Sequence, residues 1–292
     1  YTLADLLQRY GHDAMTQYAP RTQYHYSLLY RTLCARYGAL PLGEMTATFV
    51  RQWRDELLTR YQPRTVRVYM AILGSALTTA VEEYAWLESN PMRTVRKPPE
   101  PPARVRFLDD TERAHLLHAC QQSSNPYLYT IVMIALTTGA RKNEVCQLRW
   151  SAVDVHRGLL SLARTKNKTR RSVPLMGEAL TLLRQQAQAS GSLWVFPQGD
   201  GTKGVWIDRV FHQAVMRAGI VDFRFHDLRH TAASYLAMSG ASLRDIAEIL
   251  GHRNIQQTMI YAHLVESHTR GVVERMVHQF LRPPEPPPGG DV

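Results

Sequence analysis

Four prolines fall within five residues at Pro98-Pro99-Glu100-Pro101-Pro102, between Lys97 on one side and Arg104 and Arg106 on the other. Each proline lacks a backbone N–H and its ring clashes with the preceding turn, so no packed helix runs through such a segment. The chain is therefore expected to fold as two bodies, residues 1–96 and 107–281, joined by a stiff basic linker over 97–106. In the first body Tyr26, Leu29, Leu33 and Tyr37 recur at helical steps before Gly38. Val50, Trp53 and Leu57 repeat the pattern, as do Val66, Tyr69, Leu73, Leu77, Val81 and Tyr84. Three amphipathic helices in a small bundle are predicted.

The second body reads differently. Asp109 or Asp110 caps a helix through Ala119, and Pro126 opens an apolar helix that ends at Thr138-Gly139. Arg141, Glu144 and Leu148 are spaced to share one face of a further helix. Leu159 to Arg164 and Arg170 to Leu175 are short β patterns around Thr165-Lys166-Asn167-Lys168-Thr169, which predicts a hairpin with a basic tip, and Leu193 to Phe196 reads as another strand. Residues 282–292 hold five prolines and two glycines and are expected to be disordered. The fold class is thus mainly α with a small β-hairpin, in two domains.

Composition narrows the partners. With 292 residues, 45% of them hydrophobic and 21% charged, the chain can bury two ordinary cores. The longest apolar stretch, Tyr129 to Ala140, is interrupted by three threonines and is far short of the roughly 20 residues that span a bilayer. There is no secretory signal, although the chain opens on Tyr1 rather than Met, so a cytoplasmic, nucleoid-associated location is the default expectation. Cys34, Cys120 and Cys146 are odd in number and contain no Cys-x-x-Cys pair, which points to packed thiols rather than disulfides or zinc. Of 35 basic residues only five are lysine, and the net charge is +10. Arginine is the better fork for phosphate oxygens, so a polyanion, nucleic acid first, is the expected partner.

The chemistry concentrates near the C-terminus. His226-Asp227-Leu228-Arg229-His230 is followed by Leu250-Gly251-His252 and then by Tyr261 within Thr258-Met259-Ile260-Tyr261. A tyrosine hydroxyl, with an ordinary pKa of about 10, attacks a phosphodiester only where cationic neighbours and a proton acceptor are supplied. His226 and Arg229 lie one helical turn apart and can meet one phosphate. Ser242 with Asp245 three residues on forms a capping box for a helix stopped by Gly251, which holds His252 just past a helix end. Asn254 is placed to cap a short helix carrying Tyr261.

These residues resemble the tyrosine recombinases, the family of the phage integrases and Xer-type recombinases. Thr138-Gly139-Ala140-Arg141-Lys142-Asn143-Glu144-Val145-Cys146-Gln147-Leu148-Arg149-Trp150 is similar to the family's first arginine box, and the block from His226 to Tyr261 is similar to its second. The resemblance implies a helical core-binding domain, an integrase catalytic domain, and a site of Arg141, Lys166, His226, Arg229, His252 and Tyr261. In that site Arg141 and Arg229 would clamp one scissile phosphate, His252 would donate to it, and Tyr261 would attack in line. His226 would accept the proton or hydrogen-bond the tyrosine in that attack. Lys166, or Lys168 two residues on, would protonate the leaving 5′ oxygen, and Glu144 would orient the clamp. Arg164, Lys168, Arg170 and Arg171 on the hairpin, with Lys97 and Arg104 on the linker, are the expected DNA contacts. A 3′-phosphotyrosyl intermediate conserves the bond energy, so neither cofactor, metal nor ATP is expected. The implied partner is double-stranded DNA bearing specific sites, bound by a homotetramer through a four-way (Holliday) junction, with accessory directionality or host factors possible. The amphipathic pattern through Val272, Val273, Met276, Val277, Phe280 and Leu281 resembles a helix that docks on a neighbouring subunit.

Two other readings share some of these residues: a type IB topoisomerase, and an idle DNA-binding protein that kept the fold. The short two-domain layout favours the recombinase over the first, and the full set of six catalytic candidates favours it over the second. His226 and His230 are also spaced as zinc ligands, but Asp227 stands where a zincin needs Glu and Arg229 would put a cation beside the metal.

Overall fold

The computed structural model describes residues 1–100, 104–163, 170–189 and 191–281, and divides into two compact units, Tyr1–Pro102 and Ala103–Val292. The division falls inside the proline-rich segment.

The first unit holds four helices rather than three: α1 (Leu3–Asp13), α2 (Pro20–Tyr37), α3 (Ala47–Leu58) and α4 (Pro63–Glu82). The unpredicted α1 is capped by Thr2, whose hydroxyl takes the Asp5 N–H while the Asp5 carboxylate takes the Thr2 N–H. Its Leu3, Leu6, Leu7 and Tyr10 pack with Leu29, Leu33, Val50, Trp53, Val66, Leu73 and Leu77 in one core. Arg67 of α4 donates to the Pro98 carbonyl at 2.6 Å, which ties the first prolines down on this unit.

The second unit contains α5 (Asp110–Gln121), α6 (Leu128–Thr138), α7 (Lys142–Cys146), α8 (Gly177–Ala189), α9 (Asp208–Arg217), α10 (Phe225–Met238), α11 (Leu243–Leu250) and α12 (Ala262–Phe280). Asp109 is the cap of α5, through a capping box with Glu112. An antiparallel sheet runs β1 (Val153–Asp154), β2 (Leu159–Ala163), β3 (Arg170–Pro174), with Leu160 opposite Val173 and Leu162 opposite Arg171. The strand expected at Leu193 to Phe196 is not formed. Trp194 makes one bridge to Arg149, and the hairpin instead pairs β4 (Pro197–Gln198) with β5 (Lys203–Gly204). Apolar residues there are burial without a ladder: Val195 and Phe196 sit in the core.

The helix after Gly139 is also shorter than its periodicity predicts. Arg141 caps α7 from outside and Leu148 lies beyond its end, so the spacing of Arg141, Glu144 and Leu148 reflects one turn and a loop. Gly139 stops α6 at φ 61°, and a Cβ there would collide with Leu250 Cδ2. Gly251 stops α11 at φ 68° beneath the Arg171 side chain. Both glycines adopt a left-handed turn where only glycine also fits the space. Tyr261 ends a 3₁₀ turn, Met259–Tyr261, instead of riding on a helix capped by Asn254. Asn254 caps the 3₁₀ turn before it. The ring of Tyr261 completes a small apolar cluster with Ala233, Ala237, Ile246 and Leu250.

Candidate active site

Arg229 organises the site. The residue is 3% exposed, and its guanidinium donates to the Gly139 carbonyl at 2.8 Å and the Leu250 carbonyl at 2.7 Å. One side chain thus staples the C-terminal ends of α6 and α11, the two turns that lead into Arg141 and His252. Helix carboxyl ends carry partial negative charge, so both contacts suit a buried cation. Burial, then the charges of Arg141 and Arg171, lower its pKa to about 9, which still leaves it charged at neutral pH.

Arg141 points one face to solvent, its side chain 41% exposed, and is held from behind by Glu144. The Glu144 carboxylate accepts from the Arg141 backbone N–H at 2.9 Å and from Arg141 Nη1 at 3.1 Å. It also takes a two-pronged contact from Arg171, Nη2 to Oε2 at 2.9 Å and Nη1 to Oε1 at 3.2 Å. Burial alone would raise the Glu144 pKa, but the hydrogen bonds and charges of Arg171 and Arg141 outweigh it and hold it below the ordinary range. Glu144 is therefore an ionised hinge between two arginines.

Arg171 was expected among surface contacts to DNA. It is instead buried, and donates from Nε to the Ile249 carbonyl at 3.1 Å. The strand alternation accounts for this: Arg171 faces inward at the position opposite Leu162, which is also buried. Arg164, Lys166 and Lys168 lie outside the described residues, as does the side chain of Arg170. Lys97 is exposed; Arg104 is exposed too but reaches the Asp222 carbonyl and lies 3.3 Å from the Asp227 carboxylate.

His252 follows Gly251 directly, and its Nδ1 lies 2.8 Å from the buried Thr258 hydroxyl. With that hydroxyl donating, the ring hydrogen sits on Nε2 and can be offered to an anion. Burial, followed by the charges of Arg229, Arg141 and Arg171, lowers the His252 pKa to about 4, so the ring is neutral at pH 7. Replacing Thr258 with valine keeps the volume and removes the donor. We expect it to cost about 1 kcal/mol of stability and to convert a single His252 tautomer into a mixture, read from imidazole ¹⁵N shifts. Thr258→Ser should retain the wild-type spectrum.

Tyr261 is 1% exposed, and its hydroxyl lies 2.6 Å from Nδ1 of His230. His226 was expected as the proton acceptor or hydrogen-bonding partner of Tyr261; the hydrogen bond in this structure is to His230 instead. His226 lies one turn earlier on α10, exposed, its ring edge-on to that of His230 with centroids 5.3 Å apart. Burial raises the Tyr261 pKa to about 12, against an opposing pull from Arg229. The signal for His230 was in the sequence: positions 226, 229 and 230 lie on one helical face, at steps of three and four. Tyr235 of α10, closer in sequence to Arg229, hydrogen-bonds to the Leu108 carbonyl at 2.9 Å and to Arg113, and serves packing. Among the described residues no His, Cys, Asp and Glu group is placed to hold a metal ion.

The arrangement sets Arg141, Arg171 and His252 near Arg229, which in turn lies beside the buried Tyr261 hydroxyl, and the fold around it has solved counterparts. The Tn1549 transposon integrase in complex with a circular intermediate DNA superimposes with a TM-score of 0.79 at 19% identity, over 94% of this chain and 99% of that one. A λ integrase fragment bound as a dimer to a core site gives 0.76 at 19% identity, over 89% and 95%. Residues 106–268 match the phage integrase family model, and the chain belongs to that family. It is 33% identical over 233 residues to a shufflon-specific DNA recombinase of Escherichia coli, covering 76% of this chain and 59% of that protein. It is 31% identical over 256 residues to the integrase of Haemophilus phage HP1, covering 84% and 72%. Against the shufflon recombinase, the Salmonella phage P22 integrase and a putative integrase of Pseudomonas phage Pf1, the chain spans 59%, 55% and 62% of their lengths.

Proposed function

We propose that this protein is a site-specific tyrosine recombinase that cuts and rejoins DNA through a 3′-phosphotyrosyl intermediate. The observation that carries the reading is the Arg229 staple, which ties the turn before Arg141 to the turn before His252 and faces Tyr261. A phosphate entering there meets Arg141 and Arg229 on its non-bridging oxygens, where charge grows in the pentavalent transition state. The Nε2–H of His252 adds a neutral donor. Glu144 keeps Arg141 oriented through Arg141's own backbone and side chain. Tyr261 forms the bond to phosphorus, and the 5′ oxygen leaves with a proton from an acid, a role we assign to Lys166 or Lys168. A new 5′ hydroxyl then reverses the step on another strand. The reaction conserves the number of phosphodiester bonds and needs no external energy.

The linker and first unit would close on the duplex as a clamp, with Lys97 among the phosphate contacts. The λ integrase has been solved as a tetramer bound to a Holliday junction, which supports the same assembly here. So does α12: Val273, Met276, Val277 and Phe280 recur at helical spacing and are 42 to 70% exposed, an apolar row of the kind that marks an interface. A second copy of this chain is the proposed occupant. Deleting residues 268–292 is expected to reduce the tetramer formed on paired sites to monomers and dimers in sedimentation runs; an unchanged tetramer would remove this role for α12.

The test of the main reading is a DNA site nicked beside the scissile phosphate, so that the freed 5′ fragment diffuses away. Incubation without metal or ATP should give a covalent protein–DNA band on a denaturing gel, with the attached peptide containing Tyr261. If DNA that the protein demonstrably binds gives no such band, the recombinase reading fails.

A further inference from the structure

Outside the roles set out above, the least explained group at the site is His230. It was not among the expected catalytic residues, yet among the described residues it is the one hydrogen-bonded to the Tyr261 hydroxyl. The 2.6 Å separation is short for an O–H···N contact and lies within direct proton-transfer reach. Tyr261 has little freedom to choose another partner, because its ring is locked into the cluster of Ala233, Ala237, Ile246 and Leu250. His230 has little freedom either. It projects from the middle of α10 and is flanked by the edge-on ring of His226.

We propose that His230, rather than His226, accepts the Tyr261 proton during strand cleavage, an assignment that rests on the recombinase reading above. The neutral ring carries its hydrogen on Nε2 and presents the Nδ1 lone pair to the phenol. As Tyr261 Oη bonds to phosphorus and the P–O5′ bond breaks, the Oη proton passes to Nδ1. The leaving 5′ oxygen takes its proton from a separate acid, a lysine ammonium or water. On rejoining, the imidazolium returns the proton to the tyrosine oxygen as the new 5′ hydroxyl attacks. His226, exposed and next in line, is left to contact the phosphate.

The surroundings of His230 suit an acceptor. His226, Asp227 and Arg229 face it from α10, Arg104 from the segment before α5, and Tyr261 from the turn before α12. Burial comes first, and His226, Arg229 and Arg104 add to it, in keeping the imidazole below its ordinary value of 6.5; Asp227 opposes them. The ring is therefore neutral and ready to accept at pH 7. Its acceptor form, and with it the cleavage rate, is complete at neutral pH and falls as pH drops through that lowered pKa.

The experiment uses the nicked substrate under single-turnover conditions from pH 4.5 to 8, comparing wild type with His230→Asn and His226→Gln. Asparagine places an oxygen where Nδ1 stands but cannot hold the proton. We expect His230→Asn to bind the DNA normally, to slow adduct formation by about 10²-fold or more, and to lose the acid limb of the pH profile. His226→Gln should slow the reaction but keep that limb. As a second measurement, His230→Ala should regain part of its rate when imidazole is added. An acid limb that survives in His230→Asn and vanishes in His226→Gln, or a His230→Asn rate within a few-fold of wild type, would overturn the assignment. Failure of wild type to form any adduct would instead strike the recombinase reading itself, so the two failures are distinguishable.

Discussion

Tyr261→Phe is expected to abolish the covalent protein–DNA band while leaving the protein folded and able to bind its site. The two halves of this expectation come from different parts of the same side chain. The ring is 1% exposed and fills a cluster formed by α10 and α11, so phenylalanine keeps the packing. Only the hydrogen bond to His230 is lost, a matter of about 1 kcal/mol. The hydroxyl, by contrast, is the proposed nucleophile. Removing a nucleophile from a cooperative catalytic set lowers the rate by at least about 10⁴-fold. The measurement is the denaturing-gel assay on nicked DNA, paired with a gel shift on the intact site. A residual adduct in Tyr261→Phe would mean that another residue attacks. Loss of DNA binding together with the adduct would mean that the hydroxyl serves the fold.

The raised pKa of Tyr261 sharpens the point. Burial pushes it to about 12, so the free enzyme holds an unreactive phenol, and the attack depends on groups that act only once a phosphate is present. Arg229 already pulls the phenol toward ionisation. A bound phosphate would offset the mutual repulsion of Arg229, Arg141 and Arg171 and so favour the charged forms of these arginines. The resting site thus carries an excess of positive charge, and His252 is neutral there first because it is buried and then because these cations surround it.

How much of this was legible in the sequence depends on the kind of signal. Local chemistry carried the capping box at Ser242 and Asp245, the glycine stops at Gly139 and Gly251, and the placement of His252 just past a helix end. Each of these is set by residues within a few positions, and each is present in the fold. Helical periodicity brought out α2, α3 and α4 but missed α1, whose apolar face is shorter and interrupted by Gly11. The Thr2–Asp5 capping box was there to be read. The errors arose where tertiary contacts overrule local pattern. Leu193 to Phe196 has strand composition but packs as an irregular segment, and Tyr261 sits on a 3₁₀ turn because its ring is drawn into a core made by helices distant in sequence. Arg171 read as one of the hairpin's outward DNA contacts. That its guanidinium turns inward depends on Glu144, 27 positions away, and no local rule contains that pairing.

This pairing sets the second large effect. Arg171→Met is expected to destabilise the second unit by about 3–5 kcal/mol, because it leaves a buried carboxylate without its main counter-ion. Glu144 is only 5% exposed, and after the substitution it keeps Arg141 alone, whose side chain is 41% exposed and better solvated. The Ile249 carbonyl loses its donor at the same time. The double variant Glu144→Leu/Arg171→Met removes both charges and should recover most of that loss, since a buried ion pair and an apolar pair of similar volume are often close in stability. Recombination should not recover with it, because Arg141 would then have lost the carboxylate that orients it. The pH dependence carries the same sign. The Glu144 pKa is lower in the folded protein than its ordinary value of 4.5, so the unfolded chain takes up the proton first. The stabilisation from the pair is complete above that value and fades as pH falls through the folded pKa. Chemical denaturation at pH 7 and at about pH 3.5 should therefore show a larger acid loss in wild type than in the double variant, where there is no carboxylate to protonate. Equal acid losses in the two proteins would mean that the Arg171–Glu144 pair contributes nothing to stability, and that its retention has to be explained by the orientation of Arg141 alone.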